Sequence, residues 1–196
     1  MIALQQKLGD RLLHNEPLAK YTAARLGGPA DWLYIARESL DELAEVVQTA
    51  WQQELPVRVL GGGANVLISE QGVRGLVVIN KVSAVEFDGL HVTVASGTAL
   101  STLAQRCQKR GLSGLEWAVS VPGTVGGAVV NNAGAHGGDM ASVLVSALVA
   151  TPTGQARYTN AVLDYDYRHS ALKVRPDRRF LVLSAELALQ QDEPSA

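Results

Sequence analysis

Cysteine is nearly absent from this 196-residue chain: Cys107 stands alone, so no internal disulfide can form and one thiol cannot build a zinc site. An excess of charge of either sign is missing too. Lys and Arg number 17 against 19 Asp and Glu, a formal net charge of −2, which suits neither a nucleic-acid backbone nor an acidic membrane surface. No apolar run approaches the length of a membrane span. The opening Met1-Ile2-Ala3-Leu4-Gln5-Gln6-Lys7 lacks the apolar stretch of a signal peptide, so a cytoplasmic location without membrane insertion is the default. Low-complexity tracts and internal repeats are missing as well. With 47% hydrophobic and 18% charged residues, the chain has the makings of one folded domain or two small ones with a real core.

The chain is organised around Leu60-Gly61-Gly62-Gly63-Ala64-Asn65-Val66-Leu67, fed by the β-rich run Val57-Arg58-Val59-Leu60. Three glycines strip every Cβ from the turn, so backbone N–H groups can approach a ligand and form a concavity that suits a phosphate. Two familiar phosphate motifs are absent. A P-loop needs Lys and Ser/Thr after its last glycine, where Asn65-Val66 stands; the dinucleotide fingerprint needs glycine at the position of Val66. Any diphosphate held here would be held by backbone amides without a lysine. Glycines by themselves favour a tight surface turn over a ligand cradle.

In chain order, residues 1–20 read as a short polar-faced helix and a connection, and 25–30 as a loop before a strand at Trp32-Leu33-Tyr34-Ile35. Ser39 and Glu42 form a capping box for a helix whose Leu40, Leu43, Ala44, Val47, Ala50 and Trp51 share one face. Strand, helix and strand make a βαβ unit the simplest topology, with the glycine loop at a strand's carboxyl end. Asp88-Gly89 marks a hairpin between runs 82–87 and 91–95. A helix with Leu100, Leu103, Ala104 and Cys107 inward then stops at Gly111, which makes Cys107 a buried hydrophobe. Strands are expected over 143–150 and 180–189. Two α+β lobes follow, 1–80 and 81–189, joined near residues 80–82, with a solvated, frayed tail over 190–196.

A second small-residue stretch, residues 121–138, holds six glycines and almost no charge. It describes a buried helix as well as a wall that a backbone or flat ligand approaches closely. Two such segments in different lobes suit one cleft for a long ligand with a diphosphate at its middle, the second adding the start of a helix. His136 reads as a turn residue, with no Asp or Cys placed for a triad or metal site.

Six motifs together carry a resemblance over residues 13–189. They are Arg25-Leu26-Gly27-Gly28-Pro29-Ala30, Gly61-Gly62-Gly63-Ala64-Asn65-Val66-Leu67, Gly114-Leu115-Glu116, Val121-Pro122-Gly123-Thr124-Val125-Gly126-Gly127-Ala128, Asn132-Ala133-Gly134-Ala135 and Tyr167-Arg168-His169-Ser170. In this order they resemble the UDP-N-acetylenolpyruvoylglucosamine reductase family of peptidoglycan precursor synthesis. The resemblance implies an α+β fold of the vanillyl-alcohol-oxidase type, with FAD between two lobes. It implies cofactor contacts at Gly61, Gly62, Gly63, Ala64, Asn65, Val66 and Leu67, and at Val121, Pro122, Gly123, Thr124, Gly126, Gly127 and Ala128.

It also implies a reaction in which hydride passes from NADPH by way of FAD to the enolpyruvyl double bond of the UDP-sugar, UDP-N-acetylglucosamine enolpyruvate. Charge then develops on the adjacent carboxylate. Arg168 matches the family's catalytic arginine, a guanidinium that never titrates and whose fork fits a carboxylate. Tyr167 is expected near substrate or beneath Arg168, and His169 departs from the family pattern and gets no role. The family's protonating serine and a glutamate belong to a third, substrate-binding domain without counterpart here, and Glu193 matches that glutamate poorly. The expectation is an FAD-binding portion that holds flavin without completing turnover. Competing readings are another FAD oxidoreductase of the same fold, with flavin attached through His136, and a non-catalytic flavin-binding module.

Overall fold

Helix α1 (Ile2–Leu8) leads into strand β1 (Leu12–Pro17), then β2 (Pro29–Ala36), α2 (Leu40–Gln52), β3 (Val57–Leu60) and β4 (Val73–Asn80). The computed structural model of the chain describes residues 1–192. These strands form one sheet in the order β1-β2-β4-β3, with β2 and β3 both parallel to β4 and β1 antiparallel to β2. The expected βαβ unit is therefore present with β4 inserted between its two strands. The run Leu76-Val77-Val78-Ile79 explains the insertion: it is buried throughout, as a central strand covered on both faces must be. Residues 1–20 depart from expectation in their second half: Ile2–Leu8 is the expected short α-helix, but Leu12–Pro17 is a strand. As an edge strand it is mostly polar, and its closing proline needs no ladder partner for the missing N–H.

The capping box at α2 forms by half. Ser39 Oγ accepts from the Glu42 N–H at 3.0 Å, while the Glu42 carboxylate turns outward. It accepts two bonds from Arg11 (2.7 and 3.2 Å) and one from the hydroxyl of the fully buried Tyr34 (2.7 Å). The Arg11 fork, and then the Tyr34 hydroxyl, hold the Glu42 carboxyl below its ordinary value of 4.5. Because the folded value is depressed, the unfolded chain binds more protons, so this stabilisation is present above the ordinary carboxylate range and is lost as pH falls through the folded value. Glu42→Ala, which leaves the Tyr34 hydroxyl buried without an acceptor, is expected to cost about 2 kcal/mol at neutral pH. Urea unfolding at pH 7 and pH 3 checks this; a difference between the proteins that does not shrink in acid would exclude the carboxylate as its source.

The second sheet begins with a hairpin, β5 (Val85–Asp88) and β6 (His91–Ala95), closed by Gly89-Leu90. Then come α3 (Leu100–Gln108), β7 (Leu112–Ser113), α4 (Val125–Asn131), β8 (Gly134–Ala135), β9 (Gly138–Asp139), β10 (Leu144–Thr151), β11 (Gly154–Thr159), α5 (Asn160–Leu163) and β12 (Leu181–Ala188). Its order is β11-β10-β12-β6-β5, antiparallel throughout. On α3, Leu100, Leu103, Ala104 and Cys107 are buried, and burial pushes the Cys107 thiol up to about 11. The tail differs from expectation. Gln190–Gln191 form a strand, β13, paired with β7, because Gln190 and Gln191 find the open edge of Leu112-Ser113. Glu193 and the rest of the tail lie outside the described residues.

The two sheets share a core. One cluster joins Tyr34, Leu43, Trp51 and Val78 to Ala150, Leu181 and Leu183, so α2 packs between the sheets, and Gln48 Nε2 donates to the Thr151 carbonyl at 3.1 Å. Val46 and Val47, adjacent on the helix, are both fully buried for this reason. A second cluster, built on Leu103, Val129 and Leu187, lies under α3 and α4. Among the described residues no helix is long and apolar enough to cross a membrane.

Candidate functional site

The sheet edge at β3 delivers the chain into residues 61–67, and the three glycines there do different things. Gly63 is buried with φ +64°, its carbonyl accepts from Ala23 N–H at 3.0 Å, and a Cβ on it would collide with the Tyr21 carbonyl oxygen. A Cβ on Gly61 would run into the Thr124 side chain. Gly62 is exposed, and a Cβ there would meet nothing closer than Gly123 Cα at 3.6 Å. The two small-residue segments therefore face each other, Gly61 against Thr124 and Gly62 against Gly123. Among the described residues, no protein acceptor takes the N–H groups of Gly62, Gly63, Ala64 or Asn65. These amides form an unpartnered row beside open space, the arrangement that receives an anion.

The start of α4 behaves otherwise. Its first two amides are already committed, Val125 N–H to Thr98 O at 2.9 Å and Gly126 N–H to Ser96 O at 2.8 Å. A Cβ on Gly126 would sit 2.9 Å from Ser96 Cβ, so this glycine serves close packing. Gly123, at φ +129°, has nothing within 4 Å of an added Cβ, and Gly127 has only Thr124 Oγ1 at 3.8 Å. Segment 121–128 thus supplies a smooth wall more than a set of donors, unlike the expected diphosphate-binding helix start.

Between the segments lies a cleft of about 920 Å³. Gly61, Gly62, Gly63, Ala64, Asn65 and Val66 line one side, and Val121, Pro122, Gly123, Thr124, Gly126, Gly127 and Ala128 another. Its lining contains four cationic side chains, Arg58, Arg168, Lys173 and Arg178, and no carboxylate. Such a wall selects for anions. Two expected residues do not belong to it. Leu67 is 85% exposed because the chain has by then left the sheet end, and Tyr167, 86% exposed, occupies the tip of a turn, where its ring lies beneath the Arg168 guanidinium at 5.8 Å, the second of its two expected places. Asn80, Ser96 and Phe180 also line the cleft, the first two joined by a buried hydrogen bond of 2.8 Å that ties the end of β4 to the residue after β6.

Arg168 sits in a tight turn bridged between Asp166 and His169, with φ +54°. A non-glycine residue in that region costs on the order of 1 kcal/mol and persists where its surroundings enforce it. Here they do. Asn132, at the left-handed end of α4, donates to the Asp166 carbonyl at 3.1 Å. The hydroxyls of Tyr165 and of fully buried Ser170 donate to the Val129 and Val130 carbonyls at 2.8 and 2.6 Å, satisfying the helix end. Burial raises the Tyr165 phenol above its ordinary value of 10.0 and keeps it a donor. The turn carrying Arg168 is in this way bolted to the C-terminus of the helix that walls the cleft. His136 lies elsewhere, exposed at the tip of the β8–β9 hairpin and outside the cleft lining. Among the described residues, no group of three or more His, Cys, Asp or Glu is placed to hold a metal ion.

The family model described as "FAD binding domain" matches residues 33–160. The chain belongs to this family. It is 42% identical to the UDP-N-acetylenolpyruvoylglucosamine reductase of Levilactobacillus brevis, over 95% of this chain and 60% of the relative. The solved structure of the like-named reductase from Thermus caldophilus superposes with a TM-score of 0.77 at 32% identity, covering 91% of this chain and 62% of that one. Alkyldihydroxyacetonephosphate synthase, 18% identical with a TM-score of 0.71 over 97% of this chain and 40% of that one, shares the fold. The α+β fold of the vanillyl-alcohol-oxidase type is thus established for this FAD-binding domain. The chain spans about 60% of the length of the curated reductases it resembles.

Proposed function

We propose that this chain is the FAD-holding part of an NADPH-dependent reductase of UDP-N-acetylenolpyruvoylglucosamine, working in the cytoplasm in peptidoglycan precursor synthesis. The observation that carries the reading is the pairing of an unpartnered amide row at residues 62–65 with a carboxylate-free, cation-bearing cleft. Flavin and diphosphate fit those residues: the wall offers space where a Cβ would stand at Gly62, Gly123 and Gly127. When bound, FAD supplies hydride transfer between the nicotinamide and the enolpyruvyl double bond. The chain's residues do the rest. The amides of residues 62–65 hold the diphosphate, and the small-residue face of 121–128 lets a flat ring lie close. Arg168 holds charge on the substrate carboxylate as hydride arrives.

The test is optical. The purified chain, incubated with FAD and passed through gel filtration, is expected to keep the near-ultraviolet and blue bands of oxidised flavin. NADPH is expected to bleach them, and denaturation to release the flavin. A chain that leaves the column without flavin would overturn the reading. Flavin that stays attached after denaturation would move it to the covalent class, although His136 stands outside the cleft.

A further inference from the structure

Two hydrogen bonds hold Arg168. Its Nη2 donates to the Gly134 carbonyl at 3.1 Å, and its own backbone carbonyl accepts from Lys173 Nζ at 2.6 Å. Among the described residues no other group donates to that carbonyl. We propose that Lys173 is a positioning residue for Arg168: its ammonium fixes the 168–169 peptide plane and so keeps the left-handed arginine on the cleft wall.

The peptide unit between residues 168 and 169 has two polar ends. Lys173 takes the carbonyl end, and the His169 N–H donates to the Asp166 carbonyl at 3.0 Å. The opposite rung of the turn, Asp166 N–H to His169 O, is long at 3.4 Å and belongs to the next peptide, so within the turn the His169 N–H is the one bond on that plane. A charge-assisted donor on the carbonyl is the stronger restraint. Lys173 is itself anchored: its backbone N–H donates to Ser170 Oγ at 3.2 Å, and that hydroxyl donates to the Val130 carbonyl of α4. A continuous path runs from the helix walling the cleft, through Ser170 and Lys173, to the arginine. Lys173 also lines the cleft, so its charge stands beside that of Arg168. This role rests on the reading of Arg168 given above.

The experiment compares amide exchange in the FAD-loaded wild type, Lys173→Ala and Lys173→Arg. The His169 N–H belongs to the peptide that Lys173 holds, so its exchange is expected to speed up about tenfold in Lys173→Ala, the effect of losing one charge-assisted bond. Lys173→Arg, still a cationic donor, is expected to return it to within about threefold of wild type. The Ala171 N–H, bonded to the Leu163 carbonyl at 2.7 Å, serves as the internal reference and is expected not to change. Equal His169 exchange in wild type and Lys173→Ala overturns the proposal. So does acceleration of Ala171 alongside it, which would make Lys173 general glue for the segment. Failure of the wild type to take up flavin overturns the functional reading instead, and the exchange comparison on the flavin-free chain still decides whether Lys173 holds the turn.

Discussion

Valine at Gly62 is expected to abolish flavin binding and leave the fold standing, whereas valine at Gly63, one residue on, is expected to remove both. The neighbours' different surroundings dictate the contrast. Gly62 is exposed on the cleft and has 3.6 Å to its nearest neighbour for an added Cβ, so the protein accommodates the side chain and the ligand does not. Gly63 is buried at φ +64° against the Tyr21 backbone, which cannot swing aside. A β-branched residue there meets a steric clash and a disfavoured backbone together, a loss of about 3 kcal/mol or more. For Gly62→Val the expected weakening of FAD is at least about a hundredfold, corresponding to about 3 kcal/mol of binding. Fluorescence quenching of FAD during titration gives the affinity, and urea midpoints give the stability. Parallel loss of flavin and stability at Gly62 would make residue 62 part of a structural turn and nothing more.

The glycine segments were legible in the sequence because absence of a side chain is itself the signal, and the structure brings them into contact. Which glycine serves which purpose was not legible. It depends on Tyr21, Ser96 and Thr124, residues far away along the chain that come near only once the sheets have formed. The start of α4 illustrates the same limit: helix starts usually offer free amides, but here Thr98 and Ser96 had already taken two of them. Strand β1 escaped notice because an edge strand need bury little, and His14-Asn15-Glu16 carries no alternation. α2 gave its cap and one face away, yet the breadth of its buried surface, Val46 as well as Val47, records a second sheet on its far side. The capping box formed by half because Arg11 and Tyr34 outcompeted one backbone N–H for the Glu42 carboxylate. Lys173 and Arg178 lie in a charged run that resembles a solvated surface; their place on the cleft follows from the turn at Arg168, which is tertiary in origin.

Arg168→Ala is expected to slow reduction of the enolpyruvyl sugar about a hundredfold while leaving FAD affinity nearly unchanged. The magnitude is that of removing one charge-assisted donor from a site screened from water, about 3 kcal/mol. Flavin affinity is spared because the diphosphate is assigned to the amides of residues 62–65 and the flat ring to the wall at 121–128, while the Arg168 turn is anchored through Asn132, Tyr165 and Ser170 at the other, C-terminal end of α4. Lysine is expected to restore part of the rate, since it supplies the charge without the planar fork that matches a carboxylate. It also gives up the guanidinium bond to the Gly134 carbonyl that aims the side chain. The two half-reactions separate this role from a structural one. No carboxylate charge develops while NADPH reduces the flavin, so that step is expected to stay within about threefold of wild type, less than 1 kcal/mol. Stopped-flow traces of the reductase carrying this domain, followed through the flavin's blue band, resolve the steps. Equal slowing of both would assign Arg168 to placing the flavin, and unchanged sugar reduction would remove it from the chemistry altogether.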